Sequence, residues 1–134
     1  MRRTLILQEE PIDEATLTEA RLFDEGRGTG AVIYFLGVVR GQENDKMIKG
    51  LHYEAFAEMV ERQFELIFDH VERTWPIQSI RLIHRTGPVQ VSEASLWIEV
   101  MAGHRGEAFE ACQWVIDEMK RVVPIWKQPY GLTD

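Results

Sequence analysis

Residues 51–76 read LHYEAFAEMVERQFELIFDHVERTWP, and this stretch decides the fold class. Leu51-His52-Tyr53-Glu54 has the composition of a short strand. Behind it Phe56, Met59, Val60, Phe64, Ile67, Phe68, Val71 and Trp75 recur every three or four residues, the spacing of one helix face. Glu58 with Arg62 and Asp69 with Arg73 form i,i+4 pairs on the wet side. Pro76 ends the helix, because a residue before proline is pushed towards extended geometry. A second helix is predicted further on, where Ala108, Cys112, Val115, Ile116, Met119 and Val123 share one stripe and Pro124 stops it.

The remaining segments are read outward from these helices. Residues 79–85 and 94–100 alternate and predict two strands, with a turn at Gly87-Pro88. Residues 31–36, AVIYFL, form a continuous apolar run of β-formers, the pattern of a buried strand. Residues 4–8 predict a short first strand. Asp13 is placed to cap a weak helix running to about Phe23. The polar stretches 24–30 and 41–49 read as loops, the second a flexible one, and 103–106 as a turn. The order is strand, helix, two strands, helix, two strands, helix. Too few crossover helices separate the strands for a parallel sheet. The expected class is therefore α+β, a mostly antiparallel sheet with two long amphipathic helices.

The 134 residues fit a single domain over the whole chain, and 45% hydrophobic residues suffice for a core. The net charge of −7 argues against general binding of nucleic acid or anionic membrane, so any bound anion needs a local cationic cluster. No apolar run approaches a membrane span, and the first ten residues do not read as a signal peptide. A single cysteine, Cys112, excludes an intrachain disulfide and suits the cytoplasm. On its helix stripe it reads as a buried, inert thiol.

Gly26-Arg27-Gly28-Thr29-Gly30 is not a phosphate loop, because it precedes a strand instead of following one into a helix. His52, His70, His84 and His104 lack metal-ligand spacing, so no metal is expected. His70 reads as solvated, and His52 and His84 as structural histidines in strands. The basic residues later in the chain point to anions. His104 and Arg105 stand between a strand and a helix start, where backbone N–H groups favour negative charge. Lys120 borders the last helix's apolar stripe, Lys127 follows the break at Pro124, and Arg40 ends the buried strand. On spacing alone, solvated surface charge explains these five equally well.

Blocks of sequence in a fixed order break the tie. They are Phe35-Leu36-Gly37-Val38-Val39-Arg40, residues 51–59 (LHYEAFAEM), Ile83-His84-Arg85-Thr86-Gly87, His104-Arg105, residues 108–112 (AFEAC), Met119-Lys120 and Pro124-Ile125-Trp126-Lys127. In these blocks the chain resembles the large, catalytic subunit family of molybdopterin synthase, from about Leu5 to Lys127. The resemblance implies an α/β hammerhead fold and a homodimer. It implies a small ubiquitin-like sulfur carrier at each end, whose C-terminal Gly-Gly tail arrives as a thiocarboxylate. It also implies transfer of that sulfur to cyclic pyranopterin monophosphate, twice, to build a dithiolene, with no cofactor. By the same resemblance Arg40, His104 and Arg105 bind anions, Lys120 and Lys127 serve the carrier tail and the reacting centre, and Phe35 and Met119 shape the pocket. Proton transfer and electrostatic stabilisation both remain open as roles for the lysines. Pro129 stands where relatives commonly have an acidic residue, and a further family segment has no matching positions here. A carrier-binding module with impaired catalysis is the competing reading.

Overall fold

The computed structural model describes residues 1–133. In chain order they form β1 (Arg2–Gln8), α1 (Glu14–Glu19), β2 (Ala31–Val38), β3 (Gln42–Glu43), β4 (Lys46–Met47), β5 (Gly50–Ala55) and α2 (Ala57–Thr74). Then come β6 (Ile77–Arg85), β7 (Gly87–Gln90), β8 (Ala94–Ala102), α3 (Arg105–Val122) and β9 (Ile125–Tyr130). The main sheet has the order β1-β6-β8-β2, and a smaller one the order β7-β5-β9. Only the β1–β6 pair is parallel. The expected α+β class holds, with both long helices in place.

Both helices lie on one face of the main sheet. Val60, Phe64, Ile67, Phe68 and Val71 of α2 meet Ala108, Ala111, Cys112, Val115 and Met119 of α3 over Ile80, Leu82, Ile98 and Val100. Burying side chains of this kind stabilises by about 1.5–3 kcal/mol each, less the entropy of ordering them. Phe56 and Met59, expected on the buried stripe, are exposed. Phe56 is the residue that precedes α2, and its ring packs edge-on against Trp126 of β9 instead. His70 is not simply solvated: it stacks on Trp114 with ring centroids 4.2 Å apart, tying α2 to α3.

The opposite face of the sheet carries a buried charge network, Glu99 with Arg81 and Arg21. Arg81 also donates to the Leu17 carbonyl, so the network fastens the first helical segment onto the sheet. Asp13 caps α1 as expected, accepting from the Thr16 N–H. The helix stops at Glu19, short of Phe23, and Arg21 then turns in to reach Glu99.

Three elements depart from the sequence reading. The stretch 41–49 contains the β3–β4 hairpin, whose turn residues Asn44 and Asp45 both have positive φ. That is the backbone of a type I′ turn, which matches strand twist. Ile48 anchors it in a small second core with Val39, Leu51 and Val89. β7 and β9 were not expected as strands, because each holds a proline. Both are edge strands, where a missing N–H is tolerated. Gly87, the first residue of β7, has φ +74, and a Cβ there would meet only Glu9, at ordinary contact distance. Gly87→Ala is therefore a backbone effect, expected to cost about 1–2 kcal/mol and readable as a lower urea midpoint.

Candidate active site at the seam of the two sheets

The two sheets do not continue into each other, and a cavity of about 700 Å³ opens where they meet below the end of α3. Each of its walls follows from a local feature of the chain. β2 carries a register shift at Gly37/Val38, beside the cavity. A side chain at Gly37 would crowd Leu96 and the Phe35 ring at 3.3 and 3.4 Å. Beyond the shift, Val39 is buried and bonded on both backbone groups, to Glu93 and Ser92. That anchor presents Arg40 at the rim.

Lys120 lies in the last turn of α3, next to Met119, which is buried and forms part of the wall. A cation there also complements the negative end of the helix. Pro124 breaks the helix, and β9 runs back along β5, with Lys127 opposite Tyr53. Both lysines therefore line one cavity although seven positions apart. Phe35, Leu36 and Leu96 supply apolar surface. Lys127 Nζ is 3.7 Å from Glu43 Oε1, carried in by the β3–β4 hairpin. With Lys127 half exposed, this pair is weak and readily exchanged for a ligand anion.

Three cations thus face one carboxylate in a chain of net charge −7. A hollow of about 790 Å³ between β1 and α2 has the opposite character, with Glu58, Glu61, Glu65 and Asp69 against Arg3 and Arg62. An anionic ligand selects the first and is repelled by the second.

The structure brings together Arg40, Lys120, Lys127, Phe35 and Met119. It does not bring His104 and Arg105 to them. His104 precedes the first turn of α3, is 87% exposed and lies 3.9 Å from Glu107. From Arg105 to Lys120 the helix rises about 22 Å. Three lining residues went unrecognised in the sequence: Glu43, Tyr53 and His84. Glu43 lay in a stretch read as a loop, and His84 looked like any strand histidine. Burial pushes the His84 imidazole below its usual value, against a smaller upward effect from the Arg85 carbonyl. Cys112 is buried as expected, and burial pushes its thiol up to about 11, so it is inert. Among the described residues no three His, Cys, Asp or Glu side chains converge on a metal-sized site. No helix among them is long and apolar enough to cross a membrane.

Comparison with known proteins bears on the same geometry. The family model "MoaE protein" matches residues 7–122. The molybdopterin synthase catalytic subunit of Pyrococcus abyssi is 36% identical over 116 residues, covering 87% of this chain and 78% of that one. That of Thermoplasma volcanium is 39% identical over 99 residues, 74% of this chain and 72% of its own. The crystal structure of molybdopterin synthase from Staphylococcus aureus superposes with a TM-score of 0.83 at 31% identity, covering 98% of this chain and 91% of that one. An α/β hammerhead with a cationic seam, matched in sequence and in structure over most of its length, belongs to the MoaE protein family, that of the molybdopterin synthase catalytic subunits.

Proposed function

We propose that this chain transfers sulfur, as the catalytic subunit of a molybdopterin synthase, from the thiocarboxylate end of a small ubiquitin-like carrier to cyclic pyranopterin monophosphate. The observation that carries this is the convergence of Arg40, Lys120 and Lys127, from three separate elements, on one partly apolar cavity. A phosphate ester needs a guanidinium fork, which Arg40 supplies at the rim. The thiocarboxylate is an anion, and negative charge develops as its sulfur leaves the acyl carbon. Two ammonium groups held beside that path stabilise it. The apolar wall of Phe35 and Met119 suits a flat heterocycle and limits water. A Gly-Gly tail has no side chains to grip, so its anionic end and backbone must be held, by the lysines and by hydrogen bonds, while the carrier body supplies most of the affinity. An impaired carrier-binding module would not need the rim arginine together with both lysines, and the named relatives are catalytic subunits.

His104 and Arg105 take part in this reading only through a second copy. β2 is an edge strand with Tyr34, Phe35 and Val38 exposed. Such an edge is commonly completed by pairing about a two-fold axis. The start of β2 is tied to the end of β8, Gly30 N–H to Ala102 carbonyl at 3.0 Å, next to His104. The end of β2 borders the cavity. A copy laid antiparallel along this edge carries its own His104 and Arg105 towards the first copy's cavity.

Two experiments test the assignment. Arg40→Ala is expected to weaken binding of the cyclic pterin phosphate by about 10- to 100-fold, as for a lost charged hydrogen bond. Carrier binding should change far less; equal losses for both ligands, measured by calorimetry, would refute the role. Mixed dimers of His104→Ala and Lys127→Ala should recover roughly a quarter of wild-type turnover, since half the dimers are mixed and each holds one intact site. Mixtures no more active than the separate variants would show that His104 does not serve the other copy's cavity.

A further inference from the structure

His84 stands near the end of β6, 6% exposed, in the wall of the cavity that holds Arg40, Lys120 and Lys127. Its Nδ1 is 2.7 Å from the Arg85 carbonyl oxygen. A carbonyl only accepts, so Nδ1 carries the hydrogen, and in the neutral ring Nε2 is left with a lone pair. The Tyr53 ring meets the imidazole edge-on at 5.1 Å and 74°, which fixes its plane. Nε2 makes no hydrogen bond among the described residues. Among the described buried side-chain nitrogens and oxygens only Arg85 Nη1 lacks a partner, so Nε2 is not sealed in. Because His84 lines this cavity, we infer that Nε2 opens to it.

The surrounding groups give that lone pair a meaning. From the loop after β2 comes Arg40, from α3 Lys120 and from β9 Lys127, all donors. Glu43 of β3 is engaged with Lys127, and Tyr53 of β5 is the ring's packing partner. An oriented, uncommitted acceptor among cations has nothing to offer a bare anion. It suits a ligand that carries its own N–H or O–H beside its anionic group. Burial keeps the ring neutral near pH 7, so the lone pair is available there.

We propose that His84 is a substrate-binding residue: its Nε2 accepts a hydrogen bond from an N–H or O–H of the reacting heterocycle and sets that ring's orientation, while the cations take the phosphate. The inference rests on the sulfur-transfer reading above, from which it takes the heterocycle. Glycine tail and inorganic phosphate are not expected to use this contact.

The test compares wild type, His84→Phe and His84→Gln for binding of cyclic pyranopterin monophosphate and of inorganic phosphate. Phenylalanine keeps the ring against Tyr53 and loses the acceptor; glutamine keeps an amide oxygen near the Nε2 position. His84→Phe should bind the pterin phosphate about 10- to 100-fold more weakly, with inorganic phosphate unchanged. His84→Gln should recover much of the loss. Wild-type affinity should fall with acid as the ring gains its second proton, and that acid limb should be absent in His84→Gln. In wild type, the ¹⁵N resonance of Nε2 should move on adding the pterin phosphate and not on adding phosphate, a readout that survives if a variant misfolds. Unchanged pterin binding in a folded His84→Phe, a parallel loss for both ligands, or a still Nε2 resonance would each overturn the proposal. A wild-type protein that binds the carrier but not the pterin phosphate would instead remove the sulfur-transfer reading, and this contact with it.

Discussion

Lys127→Ala and Lys120→Ala are each expected to lower turnover by about 100-fold or more, the usual loss when a catalytic proton donor or charge stabiliser is deleted. The fold should survive, because both side chains are exposed and neither belongs to the main core. Among the described residues the Lys127 ammonium has only the weak pair with Glu43 to lose. The two effects should differ in kind. Lys120 lies on a helix turn beside the buried Met119, whereas Lys127 lies on an edge strand that is free on one side. Single-turnover measurement with saturating carrier separates the chemical step from binding. Near-normal single-turnover rates in both folded variants would remove the lysines from the chemistry.

The second large effect is on stability. Glu99→Ala is expected to cost about 3–5 kcal/mol, the range for breaking a buried ion pair by removing one partner. Glu99 is fully buried, and Oε1 and Oε2 accept from Arg81 Nε and Nη2, both at 2.8 Å. Arg21 Nε adds a third bond at 2.7 Å. Without the carboxylate, two guanidiniums that are 13% and 16% exposed face no anion. Against a typical total stability of about 5–15 kcal/mol, that loss is large. The pH dependence carries a sign. Burial by itself would raise the Glu99 carboxyl, but the hydrogen bonds and charges of Arg81 and Arg21 outweigh it and hold the carboxyl below its ordinary 4.5. Its contribution is complete above the unfolded value and is lost as pH falls through the lower folded one. Below about pH 4.5 the gap in urea midpoint between wild type and Glu99→Gln should therefore narrow. A gap that stayed constant down to acid pH would show that the network does not act through charge.

The two long helices and five of the strands, β1, β2, β5, β6 and β8, were legible, most of them because a buried face imposes its period on the chain. Val60, Phe64 and Val71 repeat at helical spacing, and Leu96, Ile98 and Val100 at strand spacing, for that reason. β9 was not legible, since Pro129 argues against a strand until its position at an edge is known. The hairpin at Asn44-Asp45 was hidden by polarity: its backbone conformation is local, but the small core that holds it comes from residues on both sides. The Glu99 network joins residues 78 and 18 positions apart, and no local pattern signals such a contact. The cavity shows the same division. Arg40, Lys120 and Lys127 could be named from the resemblance, but only the strand pairing of Lys127 with Tyr53 and the break at Pro124 explain why they meet. His84 lies in one of the blocks that carry the resemblance but reads there as a structural histidine, because its chemistry depends on which ring nitrogen the Arg85 carbonyl occupies. His104 and Arg105 could be named, but not placed relative to the cavity, until the length of α3 was known.

The most direct measurement of the central claim is product analysis by mass spectrometry. The purified chain is mixed with thiocarboxylated carrier and cyclic pyranopterin monophosphate. Sulfur transfer at this cavity predicts a pterin product that has gained two sulfur atoms, with the cyclic phosphate opened and the carrier returned as its carboxylate. A pterin of unchanged mass beside a carrier that still holds its thiocarboxylate would contradict the account.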